Sequence, residues 1–311
     1  MKIAVLGAGA IGSLIGGMLK KSGEEVYLVN IHPEHVEAIN QRGLLISQAG
    51  KDDEKIAIPA TTDPGSVGVV DIVILMIKTQ DTVAALKRAL SLIGPQTLVV
   101  TLQNGLGNPE KIAGFVNRDN IIAGTTTMSA IKKAPGHVVN EFPGGAVHSI
   151  KKWVGQNNEA VQKIAKVFSD AGMRTEVLDD LDQFLWKKIA IVGGFSALVG
   201  ITRLKIGDLL SVEEGEWLIR RVIREIVEIA NKKGIKLNLE EEHERAMSYF
   251  KSIKGHVSSL CLDVLNGRTT EIDSLNGAIA AEAQALGLEA PYNKTLANLV
   301  KIIEKTYDKR L

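Results

Sequence analysis

The sequence predicts an α/β protein whose first half is built on a parallel sheet and whose second half is all helix. Three observations predict it. Short β-branched runs alternate with helical periodicity up to about Leu178, a glycine-rich turn closes the first of those runs, and strand signals stop after Asp179. Strands alternating with helices imply βαβ units. The expected division is residues 1–179 for a sheet domain and 180–311 for an all-helical domain, in keeping with ~100–200 residues per domain.

Lys2–Leu6 is a short apolar strand ending in glycines, and Ile11–Lys21 has helical spacing closed by Gly23. Val26–Val29 is a second strand. Ile72–Met76 is a continuous apolar run, as expected of a parallel strand buried on both faces. Asp81–Ser91 reads as a helix stopped by Gly94-Pro95, and Leu98–Thr101 and Ile121–Thr126 as further strands. Glycines and prolines between residues 135 and 145 predict hairpin strands at a sheet edge, one at Val138-Val139 and one at Ala146–Ile150. A helix over Glu159–Ala171 and a strand over Arg174–Leu178 complete the first half.

In the second half, Asp179 or Asp180 caps a helix running through Trp186 and Lys188 toward Gly200. Glu213–Lys233 is amphipathic and ends at Gly234. Glu240–Phe250, Val257–Leu265, Glu271–Leu286 and Tyr292–Tyr307 continue the helical pattern. Trp186 and Trp217 read as packing anchors.

Composition narrows the function. Hydrophobic residues make up 45% and charged residues 23% of the 311, enough for sizeable cores. Lys plus Arg number 37 against 36 Asp plus Glu, so net charge gives no reason to expect nucleic acid or an acidic membrane as partner. The single cysteine, Cys261, excludes an intrachain disulfide and a cysteine-based zinc cluster, and suits a reducing compartment. The N-terminal apolar run lacks a basic flank and a cleavage site, and Ile189–Ile201 is shorter than the ~20 residues of a spanning helix. A soluble, cytoplasmic protein is expected.

Gly7-Ala8-Gly9-Ala10-Ile11-Gly12 is a G-x-G-x-x-G turn between a predicted strand and a predicted helix. That context is what a dinucleotide site of the Rossmann type requires. Gly7 permits the tight turn, Gly9 admits a pyrophosphate to the backbone, Gly12 lets helix and strand pack closely, and the helix N-terminus attracts the anion. At the end of the second strand an acid would favour NAD and an arginine NADP. Asn30 stands there, followed by Ile31, with His32, His35 and Arg42 the nearest groups able to meet a phosphate, so the residues leave both cofactors open.

Several further blocks, with this loop, resemble the ketopantoate reductase family (2-dehydropantoate 2-reductases), a 6-phosphogluconate-dehydrogenase-like group. They are Lys78-Thr79-Gln80, Gln103-Asn104-Gly105, Trp186-Lys187-Lys188, and Ser258-Ser259-Leu260-Cys261-Leu262-Asp263 leading into Glu271-Ile272-Asp273-Ser274-Leu275-Asn276-Gly277. With the glycine loop they span residues 7 to 277 in order.

The resemblance implies a Rossmann-like domain followed by an all-helical substrate and dimerisation domain. It implies reduction of 2-dehydropantoate to (R)-pantoate by NADPH, in the pathway to pantothenate and coenzyme A. It implies Lys188 as general acid, Glu271 as its acidic partner and a cofactor contact, Asn104 beside nicotinamide and substrate, Lys78 on the cofactor side, and Ser259 and Asp263 as substrate ligands. A homodimer is implied as well. The chemistry agrees: hydride arriving at C2 of a 2-oxo acid leaves negative charge on oxygen, which a partly desolvated lysine both stabilises and protonates. Ser259 and Asp263, four residues apart, share a helix face. Asn104-Gly105 also reads as an ordinary turn, and Glu271 as a helix-start acid beside a Thr270–Asp273 capping pair.

The chain departs from the pattern one and two turns after Lys188. Pantoate-forming members carry Asn there; Val192 and Ser196 stand here, on the substrate-binding face. The apolar Val192 suits the family's NAD-dependent D-2-hydroxyacid dehydrogenases of branched or aromatic 2-oxo acids, the alternative reading. A dinucleotide-binding sensor without catalysis is a further one, against which the retained Lys188 and Glu271 argue.

Overall fold

The computed structural model describes residues 1–309. Its chain forms two compact units, one of Met1–Gln103 with Asn108–Leu181, the other of Asn104–Gly107 with the residues from Asp182 onward.

The first unit contains β1 (Lys2–Leu6), α1 (Ala10–Lys21), β2 (Glu25–Val29), α2 (Pro33–Arg42), β3 (Leu44–Gln48), β4 (Glu54–Ile56), β5 (Ala60–Thr61), β6 (Ile72–Leu75), α3 (Thr82–Arg88), β7 (Leu98–Thr101), α4 (Asn108–Ile112), β8 (Ile121–Thr126), β9 (Ala130–Ala134), β10 (His137–Asn140), β11 (Val147–Lys152), α5 (Glu159–Asp170) and β12 (Arg174–Val177). An eight-stranded sheet runs β12-β11-β8-β7-β6-β1-β2-β5. Its pairs are parallel except β11 against β8. Its central strands β1 and β6 are almost wholly apolar and buried because both faces are covered. Strand order reverses at β1, and in open α/β sheets ligands bind beyond the carboxyl ends at such a reversal.

A separate four-stranded sheet, β4-β3-β10-β9, lies on the far side of α1. Gly16 and Gly17 explain how one helix fits between two sheets. A methyl at Gly16 would meet Leu28 of β2 at 2.4 Å, and one at Gly17 would meet Ile46 of β3 at 2.7 Å. This sheet corrects the expected edge hairpin. Val138-Val139 pair with Ile131 and Lys132 of β9 in the small sheet, whereas the strand around Ser149 pairs with β8 in the large one. The glycines and prolines of this segment separate two sheets rather than two arms of one hairpin. The predicted helix over Asp81–Ser91 is likewise only α3, flanked by 3-10 turns at Thr79–Asp81 and Leu90–Leu92.

The second unit holds α6 (Leu181–Thr202), α7 (Ile206–Leu209), α8 (Glu213–Lys232), α9 (Leu239–Ser252), α10 (Ser259–Leu265), α11 (Asn276–Ala285) and α12 (Pro291–Lys305). The helix α6 has 22 residues and is apolar enough to cross a membrane by length and composition, more than the run Ile189–Ile201 suggested. Yet 61% of its most apolar window is buried inside the protein, and it packs as the core helix of this unit. Gly194 and Gly200 bring α8 and α10 against it: added methyls would touch Ile223 at 3.2 Å and Leu260 at 2.5 Å.

The start of α12 has no capping side chain of its own. The carboxylate of Glu225 on α8, only 6% exposed, serves instead. It accepts from the backbone N–H groups of Tyr292 and Asn293 and from the Asn293 side chain, at 2.8, 2.9 and 2.7 Å. Asn293 in turn accepts from Asn276, which also donates to the Gly193 carbonyl of α6 at 3.0 Å.

Two sequence expectations are corrected here. Glu271–Leu286 is not one helix: a 3-10 turn over Ile272–Ser274 precedes α11, and Leu275 (φ −106°, ψ −107°) breaks the two apart. Trp217 is not buried, being 49% exposed; it meets Tyr292 edge-on and carries Arg221 over its ring. Trp186, by contrast, is 4% exposed in the core.

Candidate active site

The glycine loop occupies the carboxyl end of β1. Gly7 has φ +99°, and a methyl there would lie 2.7 Å from the Met76 backbone just beyond β6. Gly12 is equally obligatory, its added methyl 2.2 Å from the Gly7 carbonyl. Gly9 differs: nothing lies within 4 Å of the position its Cβ would take. It caps α1, whose first turn carries no acid, and the leading N–H groups of a helix have no intrahelical acceptors. Open space above an anion-attracting helix start fits a pyrophosphate, with Ala10 and Ile11 in that first turn.

Ala8 is buried, and its carbonyl accepts from the Asn30 amide and, at 3.1 Å, from the Ser13 hydroxyl. Asn30 also accepts from the His32 N–H at 3.0 Å. The structure therefore turns Asn30 onto the chain itself. Ile31 stands out at 65% exposure, and His32 is 3.7 Å from Glu34. Lys78 is half-buried directly after Met76-Ile77, against which Gly7 packs, and it leads the 3-10 turn Thr79–Asp81.

In the second unit three of the sequence candidates come together. Lys188 on α6 donates to the Asn104 side-chain oxygen at 2.9 Å. Burial lowers the Lys188 pKa to about 8, while the Glu271 carboxylate pulls in the other direction. The charged form is thus disfavoured but not abolished, and the ammonium is poised to lose its proton near neutral pH.

Asn104 is held by its neighbours. Gly105 has φ +85°, and a methyl on it would stand 2.4 Å from the Ser274 carbonyl. The Leu106 N–H donates to that same carbonyl at 3.1 Å. The pair Asn104-Gly105 is therefore a close backbone docking onto the turn that begins at Glu271. Ser274 closes that turn, donating from N–H and hydroxyl to the Glu271 carbonyl at 3.0 and 2.9 Å. Thr270 accepts from the Ile272 N–H, and Asp273 pairs with Lys301 rather than with Thr270.

The remaining candidates are placed less alike. Ser259 is exposed and Asp263 half-buried, one turn apart on α10. Val192 is half-buried one turn beyond Lys188 on α6. Ser196 is 3% exposed, and its carbonyl accepts from the Ser258 hydroxyl at 3.3 Å. Sequence reading missed that role of Ser258, which also caps α10 by accepting from the Cys261 N–H at 3.1 Å. The signal was available in Ser258-Ser259, since a serine just before an apolar helical run is a capping residue. Cys261 is buried, and burial raises its thiol pKa, which disfavours the reactive thiolate.

A parallel sheet with a glycine loop at its reversal, followed by a helical unit presenting a pKa-lowered lysine, defines a Rossmann-type oxidoreductase. The family model described as "Ketopantoate reductase PanE/ApbA" matches residues 3–150, and the one described as its C terminal part matches residues 180–304. The chain belongs to the ketopantoate reductase family.

Among curated relatives, the 2-dehydropantoate 2-reductase of Pyrococcus horikoshii is 36% identical over 98% of both chains. That of Halobacterium salinarum is 32% identical, covering 98% of this chain and 99% of its own. Among solved structures, a D-mandelate dehydrogenase with NADH and anilino(oxo)acetate superimposes with a TM-score of 0.93 at 30% identity, covering 99% of this chain and all of its own. A ketopantoate reductase from Ralstonia eutropha gives 0.91 at 31%, with the same coverage.

Proposed function

We propose that the protein reduces 2-dehydropantoate to (R)-pantoate with NADPH, with NADH as the alternative donor, and so serves pantothenate and coenzyme A synthesis. The reading assigns residues 1–179 to the dinucleotide and 180–311 to substrate and to a homodimer. The observation that carries it is the Lys188–Asn104 hydrogen bond beside Glu271, with the Lys188 pKa brought to about 8. The relatives named 2-dehydropantoate 2-reductase support the substrate. A cytoplasmic setting accords with the lone, buried thiol.

The nicotinamide cofactor would be held by Gly7, Ala8, Gly9, Ala10, Ile11 and Gly12, with Lys78 beside them, and supplies hydride when bound. Lys188 places its ammonium at the substrate's carbonyl oxygen and gives a proton to the alkoxide as it forms. Glu271 keeps enough positive character on that ammonium for it to arrive protonated. Asn104 fixes the direction of the lysine, and Ser259 and Asp263 hold the carboxylate and hydroxyl groups of the oxo acid.

A second reading is a D-2-hydroxyacid dehydrogenase using NADH. Val192 favours it, because an apolar residue one turn from the lysine leaves a substrate hydroxyl with one partner fewer. The resemblance to a D-mandelate dehydrogenase carrying NADH points the same way. Initial rates of NADPH and NADH oxidation with ketopantoate, 2-ketoisovalerate and phenylglyoxylate separate the two. Fast turnover of ketopantoate with NADPH supports the first reading. Preference for the other acids with NADH replaces it with the second. Cofactor binding without turnover of any of them leaves the sensor.

A further inference from the structure

A buried polar chain runs from the small sheet to the glycine loop. The Gly136 N–H, at the turn between β9 and β10, donates to His35 Nδ1 at 3.0 Å. His35 Nε2 lies 3.1 Å from Ser13 Oγ, and Ser13 Oγ lies 3.1 Å from the Ala8 carbonyl. Ser13 and His35 are both fully buried.

A backbone N–H can only donate, so Nδ1 must be the unprotonated nitrogen. The proton then sits on Nε2 and donates to Ser13 Oγ, whose own hydrogen goes to Ala8. Every bond in the series points the same way, and only neutral His35 completes it. Asn30 adds a second donor to the same carbonyl. Gly136 is pressed into place: it has φ +73°, a methyl there would come within 3.0 Å of Ala38 on α2, and its carbonyl accepts from the Leu45 N–H at 2.8 Å.

We propose that Ser13, Asn30 and His35 are positioning residues for the dinucleotide: they hold the Ala8 carbonyl turned into the protein, so that the glycine loop offers its N–H groups and not a carbonyl oxygen to the pyrophosphate. An outward carbonyl would oppose an anion at the very point where open space above Gly9 admits one. The inference rests on the reading of that loop as the cofactor's phosphate site.

His35 makes the hold depend on pH. Burial lowers its pKa below the ordinary histidine range, with Lys132 on β9 and His32 adding to the effect and Glu34 opposing it. The imidazole is therefore neutral at physiological pH. Protonation in acid would set an Nδ1–H against the Gly136 N–H and break the chain at its first link.

The test is the dissociation constant of NADPH and of NADH, read from the fluorescence of the bound dihydronicotinamide, from neutral pH into the acid range. Wild type is expected to bind at neutral pH and to weaken in acid. Ser13→Ala should weaken binding about tenfold, the equivalent of one hydrogen bond of ~1–1.5 kcal/mol, with the effect in Kd rather than in kcat. His35→Gln has an acceptor for Gly136 and a donor for Ser13 but does not titrate, so it should bind near the wild-type level and lose the acid weakening. Wild-type affinity in Ser13→Ala, or an acid limb persisting in His35→Gln, overturns the positioning role while leaving the loop's assignment standing. A wild type that binds neither dinucleotide overturns the loop's assignment and the proposal with it. Should Ser13→Ala melt early, the His35→Gln profile alone decides.

Discussion

Lys188 and Asn104 meet at 2.9 Å although 84 residues separate them in the chain. The lysine comes from the core helix α6, and the asparagine from a four-residue segment that leaves the end of β7 and docks on Ser274. A flexible side chain is thereby given a fixed direction before any substrate arrives, which is what proton delivery to one particular oxygen requires.

Replacing Lys188 with Ala removes the proposed proton donor. Turnover should fall by about 10²–10⁴-fold, while cofactor affinity changes little. Steady-state rates measured beside a cofactor titration decide the matter, and undiminished turnover would remove Lys188 from the mechanism.

The pH dependence has a definite sign. With Lys188 as the proposed proton donor, reduction should decline as pH rises through about 8. Oxidation of the hydroxy acid needs the free amine and should rise over the same interval. Glu271 holds the lysine pKa up, so Glu271→Gln should move both limbs to lower pH. Rate profiles for the two directions test this, and unmoved limbs in the variant would refute the coupling.

Gly105→Ala and Asn104→Ala should both lower kcat. The new methyl meets the Ser274 carbonyl at 2.4 Å in a left-handed backbone conformation, at a cost of about 1–3 kcal/mol. Either the docking breaks and Asn104 leaves Lys188, or the protein loses stability. A variant with wild-type melting temperature and rate would show that the docking is dispensable.

Val192→Asn restores a polar group one turn beyond Lys188. Relative kcat/KM should shift toward ketopantoate over 2-ketoisovalerate by about tenfold, the value of one hydrogen bond to the extra hydroxyl. An unchanged ratio would place that hydroxyl elsewhere.

Glu225→Ala tests the architecture without touching the site. It strips the acceptor from two backbone N–H groups at the start of α12, and should cost about 1.5–3 kcal/mol by denaturant unfolding. A loss below ~0.5 kcal/mol would mean that water replaces the carboxylate.

The main sheet was legible because its strands are short apolar runs bounded by glycine and proline, and Ile72–Leu75 and Leu98–Thr101 needed no partner information to be recognised. The small sheet was not. Glu54–Ile56 is three residues long, and β9 (Ala130–Ala134) carries two adjacent lysines, so neither shows strand periodicity; tertiary pairing with β3 and β10 makes them strands. The break at Leu275 was signalled by Asp273-Ser274 and Asn276-Gly277, which the helical pattern from Ala278 onward outweighed, and the docking of Gly105 on Ser274 reveals why the turn exists. The residue types at the site were legible through their motifs. Their hydrogen bonds were not, since the Lys188–Asn104 contact depends on a chain reversal that no local signal carries.

The segment Asn104–Gly107 also bears on how such a protein could be taken apart. Because it groups with the helical unit while the chain on either side belongs to the other, the backbone passes from one unit to the other three times rather than once. A cut near residue 181 would not yield two self-sufficient modules: the helical fragment would keep Lys188 and Glu271 but leave behind the tetrapeptide that aims the lysine. Exchange of the C-terminal half at that boundary, by recombination or by design, therefore leaves the lysine of one parent to be aimed by the tetrapeptide of the other.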